Sequence, residues 1–367
     1  MENIPNRYNE FEELRAIVED FFEVREYYIN SSEGSYDFIV GIGDRVKENF
    51  ETLYKRLKVG GYLPILRRMY DEGAMLRIIK ISRREEKKPL LNIVSAVATL
   101  ATITFSGWIF ATSPVNREIF YYEPPYLTIL MFVVSIFGIT LIHELGHLIS
   151  SRRHGIETSL PYFIPGLPQL GGTFGAVIIE RTPPVNKDSI LDTGITGPIF
   201  GFIASVIVTV IGISLSEYLT IEEYYAIIHK YPELIGTLPS TILFDFIIRM
   251  FQPQRGNMVL FLHPVAFAGW VGMLITGLNY FPAGQLDGGH VMMAIVGPEN
   301  HRKITYISLF IMILMGYLPM AILVMLLSGD RYPEPLDEIS EVPKWKKVLS
   351  ILSYSLVFLC TPILQFY

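Results

Sequence analysis

Residues 126–150 form an apolar stretch long enough to cross a bilayer, and near its end stands His143-Glu144-Leu145-Gly146-His147. A spanning helix needs about 20 predominantly apolar residues, and ionisable groups inside such a segment are costly and mark function. On a helix, positions i and i+4 share a face, so both imidazoles reach one metal ion while Glu144 lies beside it as a proton shuttle. The pattern points to zinc-assisted hydrolysis at membrane depth, in a fold that packs further apolar segments around this one.

Composition supports that frame. Half of the 367 residues are hydrophobic and only 18% are charged, against about 25% in ordinary soluble domains. About half of the charged side chains precede Pro89, which divides the chain into a small water-soluble domain (1–88) and a membrane body (89–367). The net charge of −6 is spread without a basic stripe, which argues against nucleic acid as a partner. The single cysteine, Cys360, excludes a disulfide framework and reads as apolar packing. Residues 1–23 are polar and acid-rich, with no apolar core, and do not read as a secretory leader.

Within residues 1–88 the apolar spacing predicts helices over 11–22 and 46–57. Short β-type runs cover 27–30, 36–40, 62–67 and 75–81, with a turn at Ser31-Ser32-Glu33-Gly34. An α+β domain of ferredoxin-like proportions results, joined to the rest by the charged connector 82–88. Beyond it, apolar stretches at 90–110, 126–150, 190–213, 264–281, 304–327 and 348–363 predict about six transmembrane helices. Counted along these spans, Arg83, Arg84, Lys87, Lys88, Arg152, Arg153, Lys187, Arg302 and Lys303 all fall on one side. By the positive-inside tendency that side is cytoplasmic, and the N-terminal domain with it. The acidic segment 330–341, Trp108 and Trp345 are then expected outside, together with Lys344, Lys346 and Lys347, which break the tendency. Residues 160–180, broken by Pro and Gly, predict a membrane-dipping β-type hairpin, tolerable at depth only where protein or a wet cavity satisfies its backbone. Residues 234–251 read as an interfacial or re-entrant helix on the outer side.

Two histidines do not complete a catalytic zinc site, which takes three protein ligands and a water. The best third ligand lies in Asn279-Tyr280-Phe281-Pro282-Ala283-Gly284-Gln285-Leu286-Asp287-Gly288-Gly289, where Pro282 and the glycines break an apolar span and then present an acid. Glu157 and Glu180, in loops closer to the histidines in sequence, are rivals of lower rank. His154 reads as interfacial and His290 as solvent-facing, with a place behind the ligands as its alternative. His229, His263 and His301 read as structural or surface residues. Gly197 and Gly201 read as close helix packing of the small-xxx-small kind.

Taken together, these residues resemble the site-2 protease family of intramembrane metalloproteases. His143 to His147 match its HExxH motif, Asn279 to Gly288 its NxxPxxxxDG motif, and Gly197 to Gly201 its central GxxxG/N element. Gly172 to Gly175 and His263-Pro264 resemble the branch found in plastids, cyanobacteria and archaea. The resemblance covers roughly 125–300. It implies zinc held by His143, His147 and Asp287, Glu144 as catalytic acid/base, and Asn279 near the reacting centre. Tyr280-Phe281 departs from the smaller aliphatics frequent in the family, a change that could narrow the cleft. The hairpin residues Gly172, Thr173, Phe174 and Gly175 are candidates for catching an unwound substrate segment by strand addition. The expected activity is cleavage of membrane-anchored proteins within the lipid bilayer. A metal-ion transporter and an inactive scaffold of the same fold are the competing readings. The single histidine cluster disfavours the first, and the intact Glu144 and ligand set disfavour the second.

Overall fold

The computed structural model describes residues 4–30, 34–69, 73–81, 89–234, 236, 238–252, 256–327 and 334–362. The predicted turn residues 31–33 and the connector 82–88 lie outside the described residues. The N-terminal domain runs α1 (Ile4–Glu19), β1 (Val24–Asn30), β2 (Ser35–Gly41), α2 (Val46–Val59), β3 (Tyr62–Arg68) and β4 (Gly73–Lys80). The four strands form one antiparallel sheet in the order β1-β2-β4-β3. Alternation decides its faces: Tyr36, Phe38 and Val40 of β2 and Ala74, Leu76 and Ile78 of β4 are buried in one core with Phe11, Leu14 and Val18 of α1 and Phe50, Leu53 and Leu57 of α2. On the opposite face Arg77 closes a two-point ion pair on its cross-strand partner Asp37, at 2.8 and 2.9 Å.

The helical body follows with α3 (Leu90–Thr112), α4 (Pro114–Ile119), α5 (Pro125–Arg153), the β5 (Tyr162–Pro165) and β6 (Thr173–Val177) hairpin, and α6 (Lys187–Ser214). A small excursion comprises β7 (Glu217–Thr220), α7 (Ile221–Lys230), α8 (Ile242–Phe251) and β8 (Met258–Phe261). Then come α9 (Pro264–Asn279), α10 (Asp287–Val296), α11 (Pro298–Leu314), α12 (Leu318–Leu327), α13 (Lys344–Ser353) and α14 (Ser355–Cys360). Among the described residues α3, α5 and α6 are long and apolar enough to cross a membrane. The three later expected spans are short or broken: α9 ends at Asn279, Gly316 divides 304–327, and Tyr354 divides 348–363.

The predicted hairpin lies along α3, whose side chains satisfy its backbone. Asn92 Nδ2 donates to the Leu160 carbonyl (2.7 Å), the Thr102 hydroxyl to Gly172 (2.7 Å) and the Ser106 hydroxyl to Pro168 (2.8 Å). From Asn92 to Ser106 is about 21 Å of helix at 1.5 Å per residue, so the hairpin runs most of the way along its neighbour. Among the described residues of 234–251 there is one helix, α8, which packs Phe244 and Ile247 into a core shared with Ile213 of α6, Ala266 of α9 and Cys360.

One expectation is overturned. The span count puts the segment 330–341 at the opposite end from the N-terminal domain, yet its described part, from 334 onward, touches that domain. Leu66 N donates to the Leu336 carbonyl (2.8 Å), while Leu336 N and Asp337 N donate to Pro184 and Val185 (both 2.8 Å). The strap thus extends the sheet beyond β3 and ties it to the start of α6. Leu336, Ile339, Val185 and Ile156 complete the domain's core. The cause is Gly316, at φ +85°. Tyr317 N bonds to Met312 O (2.8 Å) and Gly316 N to Ile313 O (3.0 Å), the pair of bonds of a Schellman helix end. The chain reverses there, and α12 packs back on α11 through Leu309, Met312, Ala321 and Val324. Hydropathy alone cannot see a reversal inside a continuous apolar run. Lys344 to Lys347 and Trp345 therefore sit at the end that holds the other basic clusters. Lys346 there bridges Asp192 (2.9 Å) and Asp188 (3.2 Å) of α6.

Candidate metal centre

His143 and His147 stand one turn apart on α5, and α6 crosses directly over them. The contact is so close that a Cβ on Gly146 would lie 2.6 Å from the Thr196 carbonyl. A Cβ on Gly197 would lie 2.1 Å from His147 Nε2, and one on Gly201 2.7 Å from His143 Nδ1. The four-residue spacing of the glycines matches that of the histidines, so each ring occupies the space a side chain would have filled. His147 Nδ1 meets the Thr193 carbonyl at 2.9 Å. A carbonyl can only accept, so Nδ1 carries the proton and Nε2 presents its lone pair.

Asp287 arrives from a different construction. The chain leaves α9 at Asn279, folds through 280–286 and starts α10 with Asp287. The loop is pressed against that start: a Cβ on Gly288 would lie 2.1 Å from the Tyr280 carbonyl, and one on Gly289 2.3 Å from that of Gly284. Helix α11 supports it from behind. Thr305 Oγ1 accepts from Gly284 N (3.1 Å) and Ser308 donates to the Pro282 carbonyl (3.2 Å).

The result is convergence. His143 Nε2 to Asp287 Oδ2 is 3.1 Å, His147 Nε2 to the same oxygen 3.3 Å, and the two Nε2 atoms are 3.1 Å apart. A tetrahedral zinc ion with bonds of about 2.0–2.1 Å has ligand–ligand edges of about 3.3 Å, so this triangle fits one face of such a site and leaves a fourth position. Among the described residues, these three form the one His/Cys/Asp/Glu group compact enough to hold a metal.

A cleft opens beside the triangle between α5 (Ile136, Ile139, Thr140), β6 (Gly175, Ala176) and α9 (Val271, Ile275, Thr276), and His143, Glu144 and Asn279 line it as well. Glu144 is almost fully buried. Of the four hairpin candidates, Gly175 reaches the cleft. Gly172 packs on α3, the Thr173 hydroxyl bonds Gly175 N (3.0 Å) and the Ile164 carbonyl (3.1 Å), and Phe174 is half exposed. Ala176, next along the same predicted edge, lines the cleft as well. Tyr280 and Phe281 do not narrow it: both are buried in a cluster with Val291, Leu309 and Val357. Of the rival ligands, Glu157 pairs with Lys58 (3.0 Å), and Glu180, whose backbone bridges to Thr158, lies within electrostatic reach of His147 but is not part of the triangle. His154 is held by Asp192 (3.0 Å). His290 is partly buried, His229 is exposed, and His263 and His301 are fully buried. Thr193 and the seating role of Gly197 and Gly201 were missed. Their signal was the shared spacing of four between the glycines and the histidines.

The model of peptidase family M50 matches residues 131–318, just over half of the chain, and spans every member of the triangle. Among similar proteins, the "probable zinc metalloprotease EGY1, chloroplastic" of Arabidopsis thaliana is 27% identical over 292 residues, covering 73% of this chain and 52% of the relative. The "probable zinc metalloprotease EGY2, chloroplastic" of Oryza sativa subsp. indica is 29% identical over 170 residues, covering 46% and 29% respectively. The "probable zinc metallopeptidase EGY3, chloroplastic" of Arabidopsis thaliana is 21% identical over 189 residues, covering 47% and 32%. The chain thus spans about half the length of these relatives or less. No solved structure matches it.

Proposed function

The chain belongs to peptidase family M50, the site-2 protease family, and on that premise we propose that it is an intramembrane zinc endopeptidase cutting membrane-anchored proteins within or near a transmembrane segment. The observation that carries this reading is the triangle of His143, His147 and Asp287 with mutual distances of 3.1–3.3 Å, beside a cleft lined by His143 and Glu144. These three side chains would hold the ion. When bound, zinc lowers the pKa of a coordinated water toward about 7 and polarises the scissile carbonyl. Glu144 then takes the proton of the attacking water and hands it to the leaving amine. Asn279, which lines the same cleft, would contact the reacting segment.

A substrate helix must unwind locally, because its own hydrogen bonds hide the carbonyl. β6 pairs with β5 along one edge, and its cleft side at Gly175 and Ala176 offers backbone groups to an opened strand. The gathering of Arg152, Arg153, Lys187 and Lys344 to Lys347 at one end supports a cytoplasmic placement of that end, and of the N-terminal domain docked on it. That domain contacts the chain just past the end of α5 and at the N-cap of α6: the Tyr54 hydroxyl donates to the Gly155 carbonyl (2.9 Å) and Asn186 Nδ2 to Glu51 (2.8 Å). This docking supports a regulatory or substrate-presenting role for the domain.

The test is metal content beside proteolysis of a transmembrane substrate in liposomes. Glu144→Gln should keep stoichiometric zinc and lose at least ~10² in rate, the lower range for a general acid–base. Asp287→Ala should lose most of its zinc. Undiminished cleavage by the first variant would refute the assigned role of Glu144.

A further inference from the structure

We infer that Tyr354, at the break in the last helical segment, is a positioning residue for the third metal ligand, because its hydroxyl grips the backbone carbonyl beside Asp287; the inference rests on the metalloprotease reading above. The Tyr354 hydroxyl donates to the Gly288 carbonyl at 2.5 Å. The neighbouring Ser353 hydroxyl lies 2.6 Å from that of Tyr280, and the Tyr280 and Tyr354 rings pack with centroids 5.1 Å apart and planes at 30°. Two consecutive residues thus hold both ends of the metal loop: Tyr280 where it leaves α9, and Gly288 where α10 begins. The loop needs such support. Its own backbone bonds are few, among them Ala283 N to Phe281 O (2.8 Å) and Leu286 N to Ala283 O (3.1 Å).

The grip is also anchored. Tyr280 is fully buried, and α13 is pinned to α6 by Lys346 on Asp192, one residue before the Thr193 carbonyl that orients His147. The same α6 segment therefore backs the histidine side directly and the aspartate side through α13. Tyr354 lies beyond residues 131–318, the stretch matched by the family, so membership assigns it no part.

The experiment uses the full chain, zinc-loaded in detergent, and follows transfer of zinc to a chromogenic chelator together with kcat, KM and thermal midpoint. Tyr354→Phe keeps the ring contact and removes only the hydroxyl. It should weaken zinc retention by about 10-fold, the lower range for partners that orient metal ligands, and lower kcat more than it raises KM. Ser353→Ala should give a smaller loss in the same direction. Val357→Ala, in the same buried cluster, serves as a packing control. Equal zinc loss in that control at an equal drop in midpoint means general loosening and overturns the inference. Wild-type retention in Tyr354→Phe overturns it alone. A wild-type chain that holds no zinc overturns the metalloprotease reading and this inference with it.

Discussion

The two halves of the metal triangle are built on opposite principles. His143 and His147 ride one continuous helix, so their spacing is guaranteed by the helical repeat, and α6 contributes only room: Gly197 and Gly201 leave space where the rings stand. Asp287 has no such frame. It opens a helix after a loop that folds back on its own glycines, and Thr305, Ser308 and Tyr354, all later in the chain, hold that loop in place. One side is rigid through local structure and is sensitive to crowding. The other is rigid only through distant contacts and is sensitive to their loss.

The largest effect should come from crowding the helix side. Gly197→Ala puts a methyl 2.1 Å from His147 Nε2, and a misplacement of even about 1 Å at a reacting centre costs ~10²-fold. Zinc content and kcat/KM should both collapse while far-UV circular dichroism stays helical; a fully active Gly197→Ala would show that α6 can withdraw freely. Next comes Gly288→Ala, which meets the Tyr280 carbonyl at 2.1 Å. It should release zinc yet leave the histidine pair intact, detectable as residual weak cobalt binding with an altered visible spectrum. If both variants lose metal identically, the two sides are not independent.

A smaller change is expected at the hairpin. Thr102→Val removes the hydroxyl that holds the Gly172 carbonyl and should raise KM several-fold with kcat nearly kept, since one buried hydrogen bond contributes about 0.5–1.5 kcal/mol. A fall confined to kcat would place the hairpin in the chemistry instead. The least effect is at the far end, where His263 caps α9. Its Nδ1 accepts from Val265 N (3.2 Å) and its Nε2 faces Glu123 (3.2 Å), with Ser216 and Phe120 packed around it. Burial holds this imidazole below its ordinary range against the pull of Glu123. A depressed imidazole pKa means the unfolded chain binds the extra proton first. Its stabilising contribution is thus complete above about pH 6.5 and is lost as pH falls below that value. The thermal midpoint of the wild type should drop more between about pH 7.5 and 5.5 than that of His263→Gln, and parallel curves would remove His263 from the account.

Much of this was readable beforehand where a local rule operates. The alternation of Tyr36, Phe38 and Val40 gives a strand with one buried face, and the Gly/Pro-broken run 160–180 gives a hairpin whose carbonyls need outside donors. The i, i+4 histidines give a two-point ligand. What escaped were outcomes set by single backbone turns or by partners far away in the chain. Gly316 reverses an apolar run that hydropathy counts as one span, and that reversal carries 334–343, Trp345 and Lys346 to the other end of the bundle. Tyr280 looked able to narrow the cleft, and turned instead toward Ser353, because its hydroxyl found a partner there.

The residue types and their periodicity settled which atoms could bind a metal, which segments prefer an apolar surrounding and how far apart two ligands on one helix must stand, since these depend on short-range geometry and transfer energies. Whether a carboxylate 140 positions later in the chain (287 against 147) meets those imidazoles, and which loops share an end of the bundle, was left to packing. Long-range contacts are chosen by the fit of whole surfaces, and no window of neighbouring residues contains that information.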